Sequence, residues 1–322
     1  MKKLIMAIMA TATLCGCGNA TQNENALPKV YMTTDISPEG LVKVYEALGV
    51  EATGNVAVKI STGEPGGKNF LKPALIKNLV QKVNGTIVEC NTAYKGRRNT
   101  TEAHLEAARE HGFFDIANVD IMDAEGEIQI PVKDTTHIKY NIVGKNIANY
   151  DFMINLAHFK GHAMGGFGGV LKNQSIGNAS SAGKAYIHSA GHTTDMNEMW
   201  DYFGNQMEFL ESMAAAAQSI HDYFGGGERI VYINVMNNMS VDCDCSAHPA
   251  DPLLKDVGIL ASTDPVALDK ACLDIIFNIT PSEGNDNGPL LERIASKHGT
   301  HIVDYSEQIG LGTQKYELIN ID

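Results

Sequence analysis

Short runs of β-branched and apolar residues at positions 30–33, 56–60 and 86–89 predict three strands. Between the last two, NFLKPALIKNLVQKVN places Leu71, Leu75, Leu79 and Val83 four apart, the stripe of an amphipathic helix. Strand, helix and strand within about 30 residues predict a parallel crossover unit. TEAHLEAAREHGF predicts a second helix, stopped by Gly112. His104 and His111 share a face of that helix, where a core or solvent role is expected rather than metal ligation. YDFMINLAHF reads as a further strand. MNEMWDYFGNQMEFLESMAAAAQSIHDYFG, residues 196–225, predicts one long helix with a core-facing Met and aromatic stripe. RIVYINVMNNM is again strand-like, and DPVALDKACLDIIF opens a helix with Asp264 as N-cap and Pro265 at its first position. The alternation predicts an α/β fold: a mostly parallel or mixed sheet with helices on both faces.

The first residues belong to a different pattern. MKKLIMAIMATATLCGC has two lysines, a short apolar run and a cysteine, the layout of an export signal too short to span a bilayer stably. LCGC resembles a bacterial lipobox, so residues 1–17 are expected to be a signal and Cys17 the lipid-bearing first residue of the mature chain. A plain secretory cleavage is the alternative. Residues 18–28 read as a polar tether and 29–322 as one α/β domain. The expected location is the bacterial cell envelope, with the membrane contacted through the lipid anchor only. A net charge of −13 sets nucleic acid aside, because phosphate binding needs a basic surface.

Two clusters carry candidate chemistry. NLAHFKGHAMGGFGGVLKNQSIG, residues 155–177, leaves the carboxyl end of a predicted strand, where ligands bind in open α/β sheets. His158 and His162 have the four-residue spacing of paired metal ligands, although the flanking glycines favour a loop. Gly165, Gly166, Gly168 and Gly169 leave backbone N–H groups unshielded, as in an anion-binding nest, and Lys160 and Lys172 supply positive charge. The second cluster, NNMSVDCDCSAHPADP, also follows a strand. In an extended backbone Cys243 and Cys245 face one way and the aspartates between and before them the other. Thiolates with imidazoles suit zinc, or iron for redox work. A Cys243–Cys245 bridge would close a tiny ring, so ligation is expected, with oxidation in an exported protein as the competitor. GKAYIHSAGH adds His188 and His192. In ECNTAYKGRRNTTEAH, Arg97 and Arg98 have the chemistry to hold a carboxylate or phosphate.

Taken in order, NLAHFKGHAMGGFGGVLKNQSIG, GKAYIHS, ECNTAYKGRRNTTEAHLEAAREHGF and DCDC…DVGILASTDPVALDKACLD resemble the family catalogued as domain of unknown function 362, over roughly residues 30–312. Many relatives carry a ferredoxin-like insert with two four-iron clusters shortly after the equivalent of IHS. This chain has no cysteine between His188 and Gly225, so ferredoxin-type clusters are not expected. The resemblance implies no established reaction. It does place His158, Lys160, His162, Lys172, Asn173, His188, Cys243, Cys245, Asp264 and Asp269 in the most recognisable motifs.

The expectation that follows is a metal-dependent cell-envelope enzyme acting on a small anionic molecule. Cys243, Cys245, His158, His162 and His188 are the candidate ligands of zinc or iron. Lys160, Lys172 and Asp264 are the candidate catalytic groups, and Gly166, Gly168, Gly169, Asn173 and Arg97 the candidate anion or cofactor contacts. The alternative is a lipoprotein that binds a small ligand or a metal and catalyses nothing.

Overall fold

The computed structural model describes residues 26–203 and 205–322. The expected signal, the lipid-bearing Cys17 and most of the tether lie outside them. In chain order the first half contains β1 (Lys29–Thr33), α1 (Pro38–Ala47), β2 (Val56–Lys59), α2 (Pro73–Lys82), β3 (Thr86–Glu89), α3 (Thr101–Glu110), β4 (Val119–Ile121), β5 (Glu127–Pro131) and β6 (Tyr140–Gly144). Then follow β7 (Phe152–His158), β8 (Lys160–His162), β9 (Gly166–Gly168), α4 (Val170–Asn178), α5 (Ser181–His188) and α6 (Gln206–Tyr223). The last part holds β10 (Ile230–Met236), β11 (Gly258–Ser262), α7 (Pro265–Asn278), α8 (Gly288–Ser296), α9 (His301–Gln308) and β12 (Glu317–Asn320).

Eight strands form one sheet in the order β12-β1-β11-β10-β7-β2-β3-β4. Only β11 runs against the rest, being antiparallel to both β10 and β1. The sheet is therefore mixed and the fold α/β, as the alternation predicts. Side chains of β10 show how the two faces are filled. Ile230, Tyr232 and Met236 join the core beneath α4 to α9, whereas Val231, Ile233 and Val235 join the core beneath α1 to α3. Successive residues of a strand point to opposite faces, so a continuous apolar run is what a strand covered by helices on both sides requires.

The crossover β2–α2–β3 is parallel, with Val58 opposite Ile87. The helix of residues 265–278 starts as expected: the Asp264 carboxylate accepts the N–H groups of Val266 and Ala267, each at 2.9 Å. The long helix is shorter than its apolar content predicts. It begins at Gln206, capped by Asn205, and residues 196–203 form turns instead. Asp195 accepts the N–H of Asn197 at 2.8 Å, a local bond that competes with helix. Met199 still packs inward against Ala93 and Ala185, but Trp200 is half exposed and lies outside the core stripe.

Candidate functional site

Strand order turns at one place. From β2 the chain steps outward through β3 and β4, then returns to β7 on the other side of β2 and goes on to β10. Ligands of open α/β sheets bind outside the carboxyl ends of the strands at such a reversal. β7 and β10 are parallel neighbours, with His158 opposite Val235. The glycine-rich stretch and the DCDC stretch therefore leave the sheet side by side.

Backbone contacts fasten the two together. β8 and β9 form a short hairpin, and the Gly161 N–H donates to the Ser240 carbonyl at 2.8 Å. A Cβ at Gly161 would lie 2.2 Å from the Val241 oxygen, so only glycine permits this approach. Arg293 on α8 donates to the same Val241 carbonyl at 2.8 Å.

The DCDC segment is not extended. The Ser246 N–H reaches the Cys243 carbonyl at 3.0 Å, closing a turn that folds Cys245 back over Cys243. The expectation of two separate thiols is corrected here, because the two sulfurs are joined as a disulfide with Cα atoms 5.2 Å apart. A ring nitrogen of His162 and both sulfurs lie within 4.8 Å of one another. Asp244 is buried on the side of the loop that faces β7 and β8. It accepts from His158 Nδ1 at 2.9 Å and pairs with Lys160 Nζ at 2.8 Å. Burial pushes the Asp244 carboxyl up, but His158 and Lys160 outweigh it and hold the group well below the usual carboxylate range.

The three histidines have different roles. His158 cannot ligate as placed, since Nδ1 faces Asp244 and Nε2 faces the Asn237 carbonyl at 2.6 Å, leaving no free lone pair. In His162, Nδ1 accepts the N–H of Gly165 at 2.8 Å and of Met164 at 3.3 Å, so the ring proton sits on Nε2. Burial, then the charge of Lys172, hold His162 neutral well below its ordinary value. His188 has the opposite tautomer. Its Nδ1–H donates to the Lys184 carbonyl at 2.6 Å, which leaves Nε2 with a lone pair. Burial pushes His188 down to about 4.

His162, His188 and Cys245 line a cavity of about 170 Å³ at the carboxyl ends of β2 and β3. Lys59, Lys172, Lys184 and Arg98 line it too. Arg98 is matched by two buried carboxylates, Glu64 at 3.0 Å and Glu89 at 3.2 Å. The three lysines are not: among the described residues no carboxylate lies within 4.0 Å of any of them. Lys59 donates to the Ile60 carbonyl at 2.5 Å and to Asn173 Oδ1 at 3.2 Å, and Lys184 donates to the Ala179 carbonyl at 2.5 Å. Burial lowers Lys59 to about 8 against the pull of Glu89. Burial and then Lys160 lower Lys172 to about 7, and burial lowers Lys184 as well. The rest of the wall is largely apolar, with Met164, Ile176, Met199 and Trp200.

Several candidates from the sequence sit elsewhere. Asp264 caps α7, accepts the Thr313 N–H at 3.0 Å, and does not reach the cavity. Arg97 lies at the surface, where it forks onto Glu110 at 2.6 and 2.8 Å, while its neighbour Arg98 turns inward. The glycine nest does not form. Gly166 and Gly168 belong to the hairpin, and the helix start after Gly169 is closed by Asp269, which accepts the N–H groups of Val170 and Leu171 at 2.9 and 3.0 Å. Lys160 is committed to Asp244. Asn173 does line the cavity, fixed between Lys59 and Asn155. Lys59, Lys184, Glu89 and Trp200 also line the cavity and are not among the candidates from the sequence. A signal existed for two of them: a lysine and a glutamate ending apolar strands, in VAVK and TIVE, carry charge where burial is expected.

The chain is thus an α/β protein with a buried, lysine-rich cavity at the switch point of its sheet. It belongs to the family described as Domain of unknown function (DUF362), whose model matches residues 56–274. No curated protein sequence matches it. Among solved structures it is similar to the lactate racemase apoprotein of Thermoanaerobacterium thermosaccharolyticum, at 15% identity and a TM-score of 0.42, covering 76% of this chain and 56% of that one. A Thermotoga maritima protein is similar at 11% identity and a TM-score of 0.43, covering 84% of this chain and 58% of that one. The chain spans little more than half the length of either.

Proposed function

We propose that the cavity is the active site of a metal-dependent enzyme acting on a small anionic substrate, with Cys243, Cys245 and His162 holding zinc or iron once the disulfide is reduced. The observation that carries this reading is the meeting of one ring nitrogen and two sulfurs within 4.8 Å, with His162 and Cys245 on the wall of a cavity that has three lysines unmatched by carboxylate. Two thiolates and an imidazole are three protein ligands, which leaves a fourth position for water or substrate. Such a centre supplies Lewis-acid or redox chemistry, and the lysines hold the anion beside it. A metal held at His162 Nε2 would require the ring proton to move to Nδ1, which now accepts from Gly165 and Met164, so the protons released on uptake would come from the thiols. His188 lines the cavity and stays neutral with a lone pair on Nε2, which makes it a hydrogen-bond acceptor for the substrate. We assign the lipid tether at Cys17 and the cell-envelope location to the same proposal, on the strength of LCGC followed by a polar segment.

A second reading has one observation in its favour. The acceptor role of His162 Nδ1 makes Nε2–H a ready donor to a thiolate, which suits a metal-free dithiol and disulfide couple. Metal analysis separates the two. Protein reduced and loaded under anaerobic conditions should retain close to one zinc or iron per chain, and oxidised protein none. Cys245→Ser and His162→Ala should each lower occupancy, whereas Lys172→Ala should not. Reduced protein that retains no metal would leave the thiol couple as the account of this site.

A further inference from the structure

We infer that the cavity selects a carboxylate with an apolar body of about the size of a benzene ring, rather than a bare inorganic anion. The inference rests on the reading of this cavity as a substrate site and deepens it. Two features of the wall decide the class. Lys59, Lys172 and Lys184 are charge donors without a carboxylate of their own, although Glu64, Glu89 and Asp244 lie in the same region. Each of those carboxylates is already engaged, Glu64 and Glu89 by Arg98 and Asp244 by Lys160. Lys59 and Lys184 donate only to neutral carbonyl and amide oxygens, and an unpaired buried charge costs free energy, so an entering anion supplies the charge partner that the lysines lack.

The other feature is the body of the cavity. Its 170 Å³ is close to the roughly 150 Å³ of a dry apolar cavity that takes benzene. Met164, Ile176, Met199 and Trp200 supply an apolar stretch of the wall, while lysines from β2, α4 and α5 supply its charge. Phosphate or sulfate would satisfy the lysines but leave this apolar wall against water. A planar carboxylate with a ring or branched chain fills both halves. Gly177 keeps the head end open, because a Cβ there would lie 2.8 Å from Lys59 Nζ. Trp200, half exposed, lines the cavity where it meets solvent.

Isothermal titration calorimetry on the full chain, oxidised and treated with chelator, tests this without any metal. Benzoate and cyclohexanecarboxylate should bind, and benzamide, acetate and inorganic phosphate should each bind at least tenfold more weakly. Lys184→Met should cost benzoate tenfold or more and leave benzamide unchanged. Should that variant fail to fold, Trp200→Ala, at a half-exposed position, should weaken benzoate about fivefold and leave acetate unchanged. Benzamide equal to benzoate, phosphate tighter than benzoate, or no binding by either ring carboxylate would overturn the inference. Metal occupancy is measured separately on reduced protein, so loss of the substrate class and loss of the metal centre give different results.

Discussion

Lys59→Met should make the protein more stable at neutral pH while damaging the cavity. Lys59 ends β2 with only 2% of its surface exposed. Burial lowers its amine from 10.5 to about 8, and that fall corresponds to roughly 3 kcal/mol against the charged form. The folded value lies below the unfolded one, so the unfolded chain binds more protons between pH 8 and 10.5. The cost to folding is therefore full below pH 8 and fades as pH rises toward 10.5. Methionine has a similar volume and removes the charge. It also leaves the Ile60 carbonyl and Asn173 Oδ1 without the lysine donor, at a combined cost of about 1–2 kcal/mol. The net expectation at pH 7 is a gain of about 1–2 kcal/mol, crossing to a loss near pH 9 or above. Urea unfolding of the two proteins at pH 7, 8, 9 and 10 gives the curve directly. A variant less stable than the parent at pH 7, or a difference that does not change with pH, would refute the assignment of Lys59 as a buried charge held at a cost.

The same lysine and Lys172 set how anions bind. Benzoate affinity should hold steady below about pH 7 and weaken above it, because binding then has to draw a proton onto Lys172 and, above about pH 8, onto Lys59 as well; calorimetry in buffers of different ionisation heat should show proton uptake at pH 8.5. Gly161→Ala puts a methyl group on the Val241 carbonyl and should cost about 1–3 kcal/mol in unfolding measurements, with weaker metal retention because the loop carrying Cys243 moves. A stable Gly161→Ala protein with unchanged retention would contradict the close fastening of β8 to that loop. Cys17→Ser should release the protein from the membrane fraction or block its processing, and unchanged attachment would rule out lipidation at that position.

The elements legible in the sequence were those whose pattern is local. Leu71 to Val83 repeat every four residues, and Asp264 with Pro265 marks a helix start, so α2 and α7 lie where the pattern puts them. The joining of the glycine-rich and DCDC stretches was also legible, because each follows a strand and parallel neighbours end at one edge. What failed was everything fixed by distant partners. The glycine nest does not form because Asp269, some 100 residues away, already holds the N–H groups of the helix start. Asp264 carries a recognisable motif, but its carboxylate is used by the backbone of α7 and of the segment between α9 and β12. Arg97 and Arg98 are adjacent in sequence, yet only the buried partners Glu64 and Glu89 decide which one turns inward. The turn at Cys243–Ser246 likewise overrode the extended backbone assumed for DCDC.

X-ray absorption at the zinc or iron edge of reduced, metal-loaded protein tests the central claim most directly. The account predicts two sulfur neighbours at about 2.3 Å and at least one nitrogen at about 2.0–2.1 Å, with one sulfur lost in Cys245→Ser. A first shell of oxygen and nitrogen alone, unchanged by that substitution, would contradict it.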